Sequence, residues 1–202
     1  SRRQRQMCIR DRYYKCLCEQ KITGTAKESE RYKLELLMNQ AGLTLGSRPV
    51  EQAAHAVSEK TGGAPAAAIE LPDGTVVTGK TGPLLGATAS ALINALKYLA
   101  GIPQETDLVS AAAIEPIQTL KTNYLGGKNP RLHTDEILIA LSMSAATSDA
   151  ARLALEQIPN LRGCQAHTSV MLSDVDVISF RKLGIELTCE AKAEQKKKYQ
   201  KD

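Results

Sequence analysis

Three short stretches of this 202-residue chain carry residue types that can do chemistry. The most polar is 128–136, KNPRLHTDE, which leads into a helix N-terminus. Backbone N–H groups at such a terminus add to the charge of Arg131 and favour an anion. His133 can act there as acid or base, Asn129 offers a further polar group, and Asp135 and Glu136 fall in the first helical turn, where the dipole favours acidic side chains. The second stretch, GCQAH at 163–167, sets Cys164 and His167 around the start of a strand. A thiol and an imidazole can act as nucleophile and base or ligate a metal. A metal-dependent hydrolase would need a third ligand, and His133 and His55 are the other imidazoles. The plainer reading, a buried small cysteine and a hydrogen-bonded histidine, is preferred, with no metal and no cofactor assigned. His55, among alanines on a helix, reads as packing or surface. The third stretch, 74–81, GTVVTGKT, matches G-x-x-x-x-G-K-[ST] letter for letter. A phosphate loop must join a strand to a helix so that its N–H groups curl round the phosphate. Here the first glycine falls in a turn, TVVT is strand material, and Gly82-Pro83 stands where the helix should begin. The segment therefore reads as a strand whose end presents Lys80 and Thr81 as donors.

No H-E-x-x-H, G-x-S-x-G or G-x-G-x-x-G is present, which removes the zincin, serine-hydrolase and dinucleotide readings. With 43% hydrophobic and 24% charged residues, the composition is that of a soluble globular chain and excludes disordered, collagen-like and disulfide-scaffold classes. The most apolar stretch, 84–102, contains Asn94 and Lys97 and reads as a buried helix, not a membrane span. The net charge of +4 is matched by residues 1–12 alone, where five arginines face Asp11. A second basic run, Lys192 to Lys201, reads as a solvated tail. One Phe and six Tyr, none set among Arg and Gly, give no base-stacking platform, so nucleic acid is not expected. Five cysteines without a C-x-x-C pair point to a reducing cytoplasm. Cys16 and Cys18, two apart on a helix, point about 200° apart and cannot chelate one ion as a pair.

The elements that must position these residues can be read from period and punctuation. Residues 1–12 have no apolar period and are set aside as a non-native leader. A helical segment covers 13–62: Tyr14, Leu17 and Cys18 start one stripe, Leu34, Leu37, Met38 and Ala41 form another, and Ser47 with Pro49 opens a helix carrying Val50, Ala53, Ala54 and Val57. Gly62-Gly63-Ala64-Pro65 marks a boundary. From there an α/β unit runs over 63–191. Strands at 66–71 and 75–80 flank Asp73-Gly74, a hairpin signal, and a helix at 86–100 has Ala87, Ala91 and Ala95 beside its apolar stripe, as if packed directly on a sheet. A helix is expected from Pro116 to Tyr124, another capped by Thr134, and another capped by Ser148 or Asp149. A strand at 165–172, a helix capped by Ser173 and ended at Gly184, and a half-exposed strand at 185–190 close the chain. Residues 192–202 form the basic tail. The sum is an α/β sandwich with a mixed sheet, preceded by a small helical segment.

Several blocks, among them YKLELLMNQAG (32–42), GAPAAAIELPDG (63–74), IEPIQ (114–118), KNPRLHTDE, ALEQIP (154–159), GCQAH and FRKLGIELTCE (180–190), resemble the C-terminal part of uncharacterised protein family 0371, a bacterial family. The resemblance runs from about Tyr13 to the end. It implies a fragment of a protein more than twice as long, whose glycine-rich phosphate-binding-like segment lies in the N-terminal part. It also implies a cytidine-deaminase-like, three-layer α/β/α architecture. Zinc deaminases need H-x-E or C-x-E at one helix start and P-C-x-x-C at a later one; here the first position reads LGATA and the second motif is absent, so the resemblance implies the fold without its zinc.

The leading expectation is thus a cytoplasmic, zinc-free α/β unit. It binds a small polar or anionic ligand, or completes a site with its own N-terminal domain. Arg131, His133, Asp135, Cys164 and His167 are the candidate catalytic groups, and Lys80, Thr81 and Asn129 the candidate ligand-binding ones. The alternative is a structural module that forms a homo-oligomer, through an edge strand such as 185–190, with no site of its own.

Overall fold

The structure, a computed structural model, describes residues 1–24 and 28–194. Its centre is a four-stranded mixed sheet in the order β2-β1-β3-β4, built from β1 (Ala66–Glu70), β2 (Val76–Lys80), β3 (Gln165–Thr168) and β4 (Glu186–Cys189). The Asp73-Gly74 hairpin forms as expected, with β1 antiparallel to β2 from Ala66 opposite Lys80 to Glu70 opposite Val76. Gly74 takes φ 85°, a left-handed turn conformation that suits glycine. β1 also pairs antiparallel with β3, and β3 runs parallel to β4, with His167 between Ala68 and Thr188.

Side chains alternate across a strand, and this sheet uses both faces. Ala67, Ile69 and Ala166 face the main core with α4 (Ala87–Leu99), α6 (Thr134–Ser144), α7 (Asp149–Leu155) and α8 (Asp174–Lys182). On the other face Ala68 packs with Val50 and Ala54 of α3 (Pro49–Lys60). α1 (Arg2–Thr23) lies against β4 and α2 (Glu28–Gln40). Buried Leu92, Leu96, Ile137, Leu141 and Phe180 fill the main core. The alanines of α4 are explained by Gly79: a Cβ there would lie 2.1 Å from the Ala91 backbone nitrogen. Helix and strand therefore touch backbone to backbone, and only small residues fit between them.

The structure differs from the sequence reading in four places, one of them the cap of α6, which is His133 and not Thr134, the first residue within the helix. Residues 1–12, set aside above, form the first half of α1, capped by Ser1 and with Met7 buried. The helix expected to start at Pro116 is α5 (Ala111–Thr119), capped by Ser110 and carrying Pro116 in its interior, followed by a π turn at Leu120–Tyr124. Proline at the first helical position is the common pattern; here Ser110, whose hydroxyl accepts from the Ala113 N–H, sets the start instead. The last strands are shorter than expected, because Thr168 turns its hydroxyl to the Val170 carbonyl and ends β3. Of the basic tail, residues 195–202 lie outside the described residues. No helix among the described residues is long and apolar enough to cross a membrane.

Candidate functional site

Polar chemistry collects in two places. The first is the end of the main core where α4 and α6 begin. Leu85 and Leu132, each just before one of these helices, form a parallel bridge, which sets the two N-termini side by side. His133 is the N-cap residue of α6, and its backbone N–H donates to Glu136 Oε2 at 2.7 Å. Its ring Nδ1 lies 3.0 Å from Asp176 Oδ2, on α8. Asp176 Oδ1 accepts from the Thr134 N–H at 2.9 Å and the Thr134 hydroxyl at 2.8 Å, and the Ser173 hydroxyl donates to Oδ2 at 3.0 Å. Burial pushes the Asp176 carboxyl up, but His133 and the Thr134 donors outweigh it and hold it at about 2. The Asp176 hydrogen bond raises the His133 imidazole, with burial opposing. The ring is 27% exposed, and its Nε2 has no hydrogen-bond partner among the described residues. A histidine fixed by a carboxylate on one nitrogen and open on the other is arranged to carry a proton.

Around it the sequence-predicted residues divide. Arg131 Nε donates to the Gly82 carbonyl at 2.7 Å and its Nη1 lies 3.5 Å from Glu194 Oε1, so this guanidinium ties two segments together. Asn129 Oδ1 accepts from the Arg131 N–H, shaping the loop. Asp135 is exposed and accepts from the Glu136 N–H. Lys121 braces the loop through the Arg131 carbonyl and Glu136. Lys80 is exposed and Thr81 follows it. A cleft of about 310 Å³, lined by Lys80, Leu84, Ser90, Asn94, Lys97 and Asp107 among others, adjoins this loop. Cys164 is not with this group, nor with His167. The two are three residues apart at a strand and therefore on opposite faces. Cys164 is buried in the main core, its Sγ 3.7 Å from the Asn160 carbonyl, and burial raises its thiol, as expected for an inert cysteine.

The second place is the opposite face of the sheet, under α1 and α3. His167 is fully buried there. Its Nδ1 lies 2.7 Å from Thr188 Oγ1 and its Nε2 3.1 Å from Glu190 Oε1, while His55 Nε2 lies 2.8 Å from the same Glu190 oxygen. The Tyr14 ring stands over His167 at 5.2 Å, and its hydroxyl donates to buried Glu51. Arg48 donates from Nη2 to Thr188 Oγ1 at 2.5 Å and pairs through Nε with Glu51 at 3.3 Å. His55, read above as packing or surface, is thus a partner in this network, and Glu190, Glu51 and Arg48 were not singled out at all. The period-2 pattern of 186–190 put Thr188 and Glu190 on one face. Nothing in the sequence said that α3 would bring His55 to them. Among the described residues, His55, His167 and Glu190 form the one group of three whose donor atoms, all within 4.8 Å of one another, could hold a metal ion.

These observations define first a class: a mixed α/β chain with helices on both sheet faces, one polar end at paired helix starts and one buried polar layer. Residues 46–199 match the profile described as Domain of unknown function DUF1846, C-terminal, and the chain belongs to that family. It is 50% identical over 197 residues to a UPF0371 protein of Corynebacterium efficiens, covering 98% of this chain and 39% of the relative. A UPF0371 protein of Streptococcus pyogenes is 46% identical over 190 residues, covering 94% of this chain and 38% of the relative. The chain therefore spans well under half the length of these relatives.

Proposed function

We propose that this region supplies one wall of a site for a small polar or anionic ligand, with His133 as the proton-carrying group and the remainder of the longer protein closing the site. The three-layer frame is of the cytidine-deaminase-like type, with the ligand held where that fold's two helix starts meet. The observation that carries this reading is the His133–Asp176 pair, anchored by Thr134 and Ser173 and open at Nε2. Two helix N-termini contribute partial positive charge at that end. Lys80 at the end of β2 and Thr81 just after it add donors, and Arg131 with Asn129 holds the loop before α6 in shape. The test is a titration of inorganic phosphate into the full-length protein, following the His133 imidazole resonances by NMR. A saturable shift that disappears in His133→Asn and weakens in Lys80→Ala supports the site; resonances that do not move at millimolar phosphate would overturn it.

A second reading, that part of this surface is an interface, rests on exposed apolar side chains. Tyr124 and Leu125, at and just after the end of the π turn, are 78% and 71% exposed, and Ile139 and Met143 of α6 are 61% and 72% exposed. Ile139 and Met143, one turn apart on α6, and the adjacent Tyr124 and Leu125 each leave large apolar side chains open, the kind of surface a partner covers, and the relatives carry well over half their length outside the matched region. Slower hydrogen exchange over 120–125 and 139–143 in the full-length protein than in this chain supports docking of that remainder. Slowing that depends on protein concentration instead supports a homo-oligomer.

A further inference from the structure

The buried polar layer under α1 and α3 serves no step in the reading above, and its geometry is that of a ligand set. Two imidazoles and a carboxylate arrive from three separate places: His55 from α3, His167 from β3, and Glu190 from the residue after β4. Both Nε2 atoms converge on one oxygen, Glu190 Oε1, at 2.8 and 3.1 Å. A tetrahedral zinc-class ion with bonds near 2.0–2.1 Å separates its donor atoms by about 3.4 Å. The two sides to Glu190 need to open by a few tenths of an ångström, and the two Nε2 atoms, within 4.8 Å of each other, need to settle near the same separation, an adjustment that the half-exposed His55 side chain can make.

We propose that His55, His167 and Glu190 form a binding site for a divalent transition ion of the zinc class. The chemistry of the donors selects this class: imidazole nitrogens favour zinc and its neighbours over magnesium or calcium, which prefer oxygen sets. Exposure is one-sided. His167 is 0% and Glu190 20% exposed at the side chain, whereas His55 is 41% exposed, so the ion enters past His55 and its remaining coordination position faces solvent.

The layer behind the site supplies what a ligating histidine needs, a partner on its other nitrogen. An ionised Glu190 can only accept, so without a metal each Nε2 facing it donates, and a neutral His167 then accepts at Nδ1 from the Thr188 hydroxyl. Binding requires each ring to carry its proton on Nδ1 instead, leaving an Nε2 lone pair for the ion. Thr188 can serve both tautomers. Its hydroxyl proton can turn to the Ala166 carbonyl, 3.4 Å away, and its oxygen then accepts from His167 Nδ1 while still accepting from Arg48, which can only donate. The Arg48 charge does not oppose the ion unmatched, because buried Glu51 pairs with it. Glu190 is then the anion left to meet the cation. An ion held here ties α3 to the C-terminal end of the sheet.

The test uses the 202-residue chain stripped of metal and titrated with cobalt(II) alone, then with zinc. The expected result is one equivalent of cobalt showing the visible absorption of a four- or five-coordinate site, without a thiolate charge-transfer band, and displaced by zinc. His55→Ala lies on the open side and leaves the buried layer in place; it and Glu190→Gln should each weaken binding by about tenfold or more. Zinc should also raise the unfolding temperature of the parent chain and not of His55→Ala. Absence of a one-to-one complex, a thiolate band lost in Cys18→Ser, or affinity unchanged in His55→Ala would each overturn the proposal.

Discussion

Replacing Asp176 by Asn keeps the side-chain shape and removes the charge that organises the His133 end of the molecule. The carboxyl is only 8% exposed and accepts from Thr134 twice, from Ser173 and from His133. Its descent from 3.8 to about 2 on folding corresponds to roughly 2–3 kcal/mol of native-state stabilisation. A depressed carboxylate stabilises above its unfolded value, and the contribution is lost as pH falls through about 2. His133 runs the other way. Its folded value is raised, so its contribution is complete below its unfolded value and is lost as pH rises through the folded one. Urea unfolding of the parent chain and Asp176→Asn should therefore differ by roughly 2–3 kcal/mol near pH 5, and the difference should shrink as pH rises through the raised folded value of His133 and the imidazole loses its proton. In parallel, NMR titration of the His133 ring should show its midpoint fall in the variant. A variant of unchanged stability, or a ring that titrates as in the parent, would refute the claim that Asp176 holds and charges His133.

Three further substitutions probe the frame. Gly79→Ala sets a methyl 2.1 Å from the Ala91 nitrogen, so it should cost more than the usual ~1–3 kcal/mol of overpacking; an unfolding midpoint near the parent's would show that α4 can retreat. Arg48→Met strands buried Glu51 without its cation and should cost about 3–5 kcal/mol, measured by denaturant unfolding, with a loss below ~1 kcal/mol counting against the buried pair. Cys164→Ser, on the sheet face away from His167, should leave the His55 and His167 imidazole resonances in place, and movement of either would contradict the two-faced sheet.

Much of the frame was legible because local signals decide it. Asp73-Gly74 fixed the hairpin, Ser148 and Ser173 capped their helices, and the alanines of α4 announced direct packing on a strand. Pro116 signals a helix start locally, but the helix begins about one and a half turns earlier at the Ser110 cap and carries the proline inside it. The sites were legible by halves. His133 stood out in a polar loop, but its partner Asp176 is 43 residues away and reads locally as one more acidic residue in a first helical turn. His167 stood out beside Cys164, yet strand alternation sends them to opposite faces, and its companions His55 and Glu190 are joined to it only by tertiary packing. Patterns within one element show which way a side chain points, not what another element brings to meet it.

The central position of β1 has a consequence for how the chain reaches this fold. One edge of β1 is paired by the adjacent hairpin, but the other waits for β3, with Ala67 opposite Thr168, about a hundred residues later in the chain. Loop closure on that scale is slow compared with hairpin formation. In the interval the apolar strand AAAI offers an unpaired edge to any other chain. Refolding yield should therefore fall as protein concentration rises, with self-association beginning at the very strand that ends up most protected.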